Sequence, residues 1–486
     1  MSDQFLFDGS IRDVITSVLP EDTSLHGQSP ELRYTYLPAT HAKSLRPENM
    51  LVVGIRGAGK SFWWSALQNP QHREMFGPSI GLQKDSIVSI GFGETPNPNE
   101  YPGKDTLSSL LNDEDPRLVW RTVVFRQIVG SQSLVRDFVT LKDWENRVRW
   151  VREHPEIVEK ELFRMDDEEL DGSNRYHLVL FDALDRTADD WKAMNRLVRG
   201  LLQTVLDFRS YRRIRLKVFA RPDQIEDSEV GTFPDASKIL SQKTELYWPR
   251  NELYALLWQY LSNAENGHVF REGVGKLFSV DWKQRNNVWL VPDSLRNDEA
   301  VQRELFHAMT GPWMGRDRRR GFPYTWLPNH LGDTRNQVSP RSFLASVRHA
   351  ASDRVRQEHR YAIHYESIKA GVQQASRIRV QEMQEDYPWV QNLLSPLAAL
   401  SVPCPIEDVK RIWQSRNILQ ELSSKIASSN VRLPPAHFSE GADGVLKDLA
   451  NLGLIERLSG GRINIPDVYR VGYGIGRRGG VKPAAR

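Results

Sequence analysis

The sequence predicts an α/β protein: a three-layer core around a parallel sheet, a helical segment after it, and a C-terminal winged helix. Three observations carry this. Short apolar runs bounded by polar residues alternate with stretches of helical period through the first half of the chain. One of these runs, Met50-Leu51-Val52-Val53, leads into a glycine-rich loop and then a helix. Near the other end, helical stretches are followed by two short strand patterns around the turn Ser459-Gly460-Gly461, the order of a winged helix.

The glycine-rich loop is Gly54-Ile55-Arg56-Gly57-Ala58-Gly59-Lys60-Ser61, followed by Phe62 and a helix over 61–68. Its spacing, G-x-x-x-x-G-K-S, is that of a phosphate cradle in which backbone N–H groups wrap the anion and glycines let the chain approach it. Gly54, Arg56, Gly57, Ala58, Gly59, Lys60, Ser61 and Phe62 are therefore the candidate nucleotide-binding residues. Lys60 reaches the β- and γ-phosphates in such a loop, and Ser61 is a ligand for Mg²⁺. The positive end of the helix dipole adds to the same anion site.

Strands are expected at 86–90, 176–181, 214–219 and 246–248, with helices over 117–129 and after 187. The run Tyr176-His177-Leu178-Val179-Leu180-Phe181 reads as a buried parallel strand that delivers Asp182 to the carboxyl edge of the sheet. That is where a Mg²⁺-holding carboxylate belongs, and Asp185 is placed to orient or deprotonate water. The plain alternative is that Asp182 ends a strand and Asp185 caps a turn. Thr187-Ala188-Asp189-Asp190 reads as a capping box for the next helix. Arg221, just beyond the 214–219 strand, is either a polar sensor of the γ-phosphate or a surface arginine at a turn.

The charged stretch 141–169 reads as a solvated helix pair, and the pattern weakens over 263–338. The run Arg316-Asp317-Arg318-Arg319-Arg320 is either a solvated loop or a contact for phosphate or nucleic acid. Ser339-Pro340 starts a helix, and Arg341 puts a cation against the positive dipole end; a nearby phosphate would remove that conflict, making Arg341 a candidate second sensor. Helices follow at 367–383, 394–400, 406–413 and 442–452. The winged helix serves either DNA contact or protein docking: its third helix is poor in cations, whereas Arg462, Arg470, Arg477, Arg478, Lys482 and Arg486 make the end basic. The stretch 474–480 is expected to be a flexible tail.

With 486 residues the chain exceeds one core, and the expected division is 1–45, a helical lead-in packing on the nucleotide domain; 46–262, the nucleotide core; 263–384, a helical lid and linker; and 385–486, the winged helix. Sixty-five basic residues against 62 acidic ones do not by themselves argue for nucleic acid, but they allow a local basic patch. The single cysteine, Cys404, excludes an internal disulfide framework and a cysteine zinc cluster, and it reads as a small buried side chain. No apolar run approaches the ~18 residues of a membrane span, and Met1-Ser2-Asp3-Gln4 lacks a signal-peptide pattern, so the expectation is a cytoplasmic protein with no membrane partner.

Taken together, Gly54 to Ser61, Asp182-Ala183-Leu184-Asp185-Arg186, the strand ending at Arg221, and Ser339-Pro340-Arg341 resemble the P-loop NTPases of the KAP and STAND groups, relatives of the AAA+ ATPases, over roughly residues 46–350. The segment 182–186 resembles their D-x-L-D-[RE] Walker B form. The resemblance implies ATP rather than GTP, no N-K-x-D motif being present, with Mg²⁺ on Ser61 and Asp182 and with Asp185, Arg221 and Arg341 assisting hydrolysis. It also implies a switch that controls an effector protein encoded nearby, in the manner of bacterial antiviral defence, and a homo-oligomer completed in trans by an arginine such as Arg121, Arg126 or Arg186. The membrane spans of many KAP proteins and the long repeat arrays of many STAND proteins have no counterpart here. A DNA motor or loader using the winged helix is the alternative.

Overall fold

The computed structural model describes residues 6–21, 30–129, 135–226, 230–428 and 431–483. Ser29 and Arg486 lie outside them. Two compact units emerge. One holds Leu37–Tyr247; the other holds Glu31–Tyr36 and Trp248–Arg486, together with the N-terminal helix Ser10–Val18.

The first unit is built on a parallel sheet of β1 (Leu51–Val53), β2 (Ile87–Phe92), β3 (His177–Phe181), β4 (Ile214–Ala220) and β5 (Thr244–Glu245), in the order β2-β3-β4-β1-β5. Register follows pairs such as Val52 with Phe219 and Leu180 with Lys217. Side chains alternate across a strand, so β3 feeds both faces. Leu178 and Leu180 join the cluster of Trp63, Ala66 and Leu67 from the helix Lys60–Gln68. Phe181 turns the other way, its ring 5.7 Å from that of Trp120 on the helix Pro116–Ile128. Helix, sheet and helix make the expected three layers. Gly91 and Gly93 flank Phe92 for want of room: a Cβ would stand 2.3 Å from the Phe181 ring at the first and 2.7 Å from Trp64 at the second.

Two polar devices hold β4. Lys217, fully buried, donates its ammonium to the carbonyls of Ser44 (3.1 Å), Arg46 (2.9 Å) and Asn49 (2.6 Å), tying down the segment that enters β1. Burial pushes its pKa down to about 7. Asp166 sits in the π-helical turn Met165–Asp171 and accepts the backbone N–H groups of Arg212 (2.8 Å), Arg213 (2.7 Å) and Ile214 (2.8 Å) at the start of the strand.

Several local expectations change. The helix after Walker B starts at Trp191, capped by Asp190, which accepts from Ala193 N–H at 2.9 Å; Thr187 instead bonds back to Leu184 O at 2.6 Å. The last strand lies at Thr244–Glu245 rather than 246–248, with Pro249 directly ahead of the next helix. The pair Trp144–Glu153 and Pro155–Arg164 is not simply solvated, because Trp144, Val148, Val151, Val158 and Leu162 are buried. The N-terminal helix turns Ile11, Val14 and Ile15 into a core with Trp258 and Phe270, within the second unit and not the first. Arg250–Ser262 belongs to that core too, so the division between units falls before 248 and not after 262.

In the second unit the weakly patterned 263–338 stretch contains helices Gly267–Leu277, Glu299–Thr310 and Pro323–Leu331. Helices Ile406–Ser415, Ile418–Ala427 and Gly441–Asn451 precede an antiparallel hairpin of Glu456–Leu458 and Arg462–Asn464, whose second strand also pairs with Cys404–Pro405. This is a winged helix, with Cys404 buried in it. The tail is a correction. Gly476–Arg477 pairs in parallel with Ser401–Val402, Val481 is buried in the unit's core, and Arg470 is fully buried. Arg470 donates to Asp467 (2.7 Å), Ile475 O (3.2 Å) and Val481 O (2.7 Å), and Arg477 reaches the same aspartate at 3.3 Å. Apolar Val481 and a buried carboxylate fold down a stretch that its glycines and charges made look loose. Among the described residues no helix is long and apolar enough to cross a membrane.

Candidate functional site

The loop after β1 has the backbone that its glycines permit. Gly57 and Gly59 take φ of 77° and 105°, left-handed values that a side chain disfavours. At Gly54 an added Cβ would lie 3.1 Å from the Ala58 Cβ and 3.3 Å from that of Leu246, so the loop closes tightly on β5. The Gly54 N–H is bonded to Ala220 O (3.1 Å), and the Ala58 N–H to Ile55 O (3.1 Å). Arg56 and Phe62 are half-buried at the rim. Trp63 anchors the helix by donating its indole N–H to His41 Nδ1 at 3.0 Å. Burial lowers the His41 pKa to about 3, which keeps that acceptor neutral.

Four charged groups act on Lys60. Its ammonium donates to Gly54 O (2.8 Å) and Ile55 O (3.0 Å). Its pKa falls to about 8, first through desolvation and then through the Arg221 guanidinium, against the opposing pull of Asp182, Asp223 and Asp185. Asp182 is 6% exposed at the end of β3, and the Ser61 hydroxyl and the Ala183 N–H both favour its charged form. Desolvation still raises its pKa, outweighing these two and the Lys60 charge. A buried carboxylate disfavoured in its charged form and the serine hydroxyl that acts on it make a pair of hard oxygen donors.

Between the two aspartates the chain turns through Ala183 at φ 56°, left-handed without being glycine. The 3₁₀ turn Leu184–Arg186 follows and carries Asp185. Backbone in this region costs about 1–2 kcal/mol. Arg221 starts the short helix Pro222–Ile225, is 9% exposed, and brings its Nε 3.6 Å from Asp223 Oδ1. Its own N–H is held by Gln224 Oε1 at 2.8 Å. Asp223 went unnoticed in the sequence; the only signal was an acid two residues past the β4 arginine.

Arg341 belongs to the other unit, on the helix Pro340–Ala351, where it donates to Glu382 Oε1 at 2.6 Å. Glu382, also bonded to Arg379 (3.1 Å), supplies the anion that a first-turn cation calls for, so the dipole argument for a phosphate there lapses. The three trans candidates are paired within their own unit: Arg121 with Glu159 (3.4 Å), Arg126 with Glu100 (3.1 Å) and Arg186 with Glu94.

The five-stranded parallel sheet, a glycine loop after the strand next to its edge, and a carboxylate two strands away form the arrangement typical of a P-loop fold. No protein-family model matches the chain, and no curated protein does. Among solved structures it is similar to Cdc6p from Pyrobaculum aerophilum (TM-score 0.28, 11% identity, covering 96% of this chain and 95% of that one). It is also similar to the ORC2 protein of Aeropyrum pernix, solved as ADPNP-ADP complexes (TM-score 0.29, 13% identity, 95% and 94%). A Walker-type ATPase of Pyrococcus abyssi is similar at TM-score 0.36 and 14% identity, over 91% of this chain and all of that one.

Proposed function

We propose that this chain binds ATP with Mg²⁺ and hydrolyses it slowly, as a switch that controls a partner protein. The observation that carries the proposal is the buried Asp182 carboxylate, with the Ser61 hydroxyl and the Lys60 ammonium acting on its charge, at the mouth of a left-handed glycine loop. Ser61 and Asp182 fit Mg²⁺, which takes one or two protein oxygens and leaves the rest to phosphates and water. When bound there the ion neutralises charge on the β- and γ-oxygens. Lys60 exchanges its carbonyl contacts for phosphate oxygens, Asp185 orients the attacking water, and Arg221, restrained by Asp223, faces the γ-phosphate.

The effector-control reading rests on the resemblance of the 182–186 segment to the KAP and STAND form, and places the protein in bacterial antiviral defence as a homo-oligomer. ATP turnover and ATP affinity of the wild type, Lys60→Ala and Asp185→Asn test it. Loss of the ammonium weakens ATP binding by about 10- to 100-fold, the worth of a charge-assisted bond. Asp185→Asn lowers turnover by about a hundredfold or more while binding is kept. Unchanged turnover in both variants would overturn the assignment.

A further inference from the structure

Away from the nucleotide site, the densest unanswered charge lies on the loop 311–322 of the second unit. Its tip reads Gly315-Arg316-Asp317-Arg318-Arg319-Arg320-Gly321, and its base is closed by a bond from Met314 N–H to Gly321 O at 2.9 Å, with Met314 buried. Within the tip, Arg320 N–H donates to Asp317 O (3.1 Å) and Gly321 N–H to Arg318 O (3.2 Å). The one carboxylate, Asp317, accepts the backbone N–H of Arg319 at 2.9 Å. The backbone is thus ordered and the four guanidinium groups are exposed. Among the described residues none of the four has a carboxylate at ion-pair distance, whereas exposed arginines elsewhere, such as Arg149 and Arg152, do.

Phe322 braces the loop from behind. His307 stacks on it at 5.8 Å, Trp313 meets it at 4.9 Å, and Arg303 lies over the ring at 5.7 Å. These rings support the tip and do not form a platform for bases. The end of the helix before the loop is bonded by Ile363 N–H to Met309 O (2.9 Å), and in the stretch leading to Ile363 the residues Arg354 and Arg360 are exposed. On a chain of net charge +3, four like charges in five residues repel one another. Water and salt screen part of that repulsion, and a partner of comparable negative density offsets more of it.

We infer that this arginine tip is a contact for the phosphate backbone of duplex nucleic acid, without sequence reading. A duplex presents about one negative charge per 1.7 Å of axis, the density that a compact cationic tip matches. No unengaged aromatic stands between the arginines to enter a membrane. The winged helix is a poorer candidate because several of its charges are answered internally, as Lys410 by Asp443 (2.9 Å), Lys447 by Glu440 (4.0 Å) and Arg477 by Asp467 (3.3 Å), and the others, Arg462, Arg478 and Lys482 among them, are spread along the chain. The inference stands apart from the nucleotide reading.

The test is fluorescence anisotropy of the full chain with a labelled duplex DNA, the matching RNA duplex, and the single strand, across salt, with anionic phosphatidylserine vesicles as a separate arm. Three variants are compared: R316A/R318A/R319A/R320A, the same four changed to lysine, and R462A/R478A/K482A on the winged helix and tail. Four phosphate contacts give a slope of about −3.6 in log affinity against log salt, or roughly 150-fold between about 50 and about 200 mM. The alanine set should lose that slope, while the lysine set and the winged-helix set should keep it. A gain of DNA over RNA, or the reverse, names the source of the phosphates. No binding by the wild type, unchanged binding by the alanine set, equal loss in the winged-helix set, or preference for vesicles would each overturn the inference. Lys60→Ala should leave the DNA affinity unchanged, so failure here and failure of the ATP reading are separable.

Discussion

Replacing Lys217 by methionine tests how the middle of the five-stranded sheet is held. The ammonium is fully buried with three carbonyl acceptors, and Glu48 is the acidic group that opposes the fall in its pKa. Methionine of similar length strands the carbonyls of Ser44, Arg46 and Asn49, each loss worth about 1–3 kcal/mol. It also removes a cation whose burial, judged from a fall from 10.5 to about 7, costs about 4 kcal/mol at neutral pH. Two terms of similar size leave the net change at pH 7 small, so the pH dependence decides. Between the folded pKa and the unfolded one, the unfolded chain holds a proton that the folded chain has released. Wild-type stability therefore rises with pH in that window, and Lys217→Met lacks this contribution. From about pH 7 to about pH 9 the stability difference between wild type and variant should shift by about 2 kcal/mol in favour of the wild type. Urea unfolding followed by tryptophan fluorescence at several pH values measures it, and Lys60, titrating near 8 in both proteins, cancels in the comparison. A difference that stays flat would show that the three carbonyls hold the charge against burial, and would refute the reasoning.

Three further outcomes are expected. Asp166→Ala removes the acceptor of three N–H groups at the start of β4 and should lower stability by about 3 kcal/mol, read as a lower urea midpoint at unchanged slope. Arg470→Met leaves buried Asp467 without its closest partner, at a cost of about 3–5 kcal/mol, and limited proteolysis should then release the residues after 470 sooner than in wild type. Ala183→Gly relieves about 1 kcal/mol of left-handed strain against roughly 0.5 kcal/mol of added chain entropy, so Tm should rise slightly; a fall would mean that the turn is held for another reason.

The amino-acid sequence alone determined the local elements whose chemistry is contiguous. The glycine loop, its helix, the apolar strand that ends at Asp182, and the winged-helix hairpin were all readable, because spacing and period are properties of neighbours in the chain. Only the tertiary structure decided what answers each charge. Whether Arg341 needs a phosphate depended on Glu382, 41 residues away along the chain, and whether the basic tail is loose depended on Asp467 and a pocket for Val481. Nothing in the 214–219 strand pattern singles out Lys217, which three carbonyls from 44–49 close around. Asp223 joined the candidate site for the same reason, through its charge on Lys60. Electrostatic partners are chosen by distance in space, and period and spacing along a chain do not encode that distance.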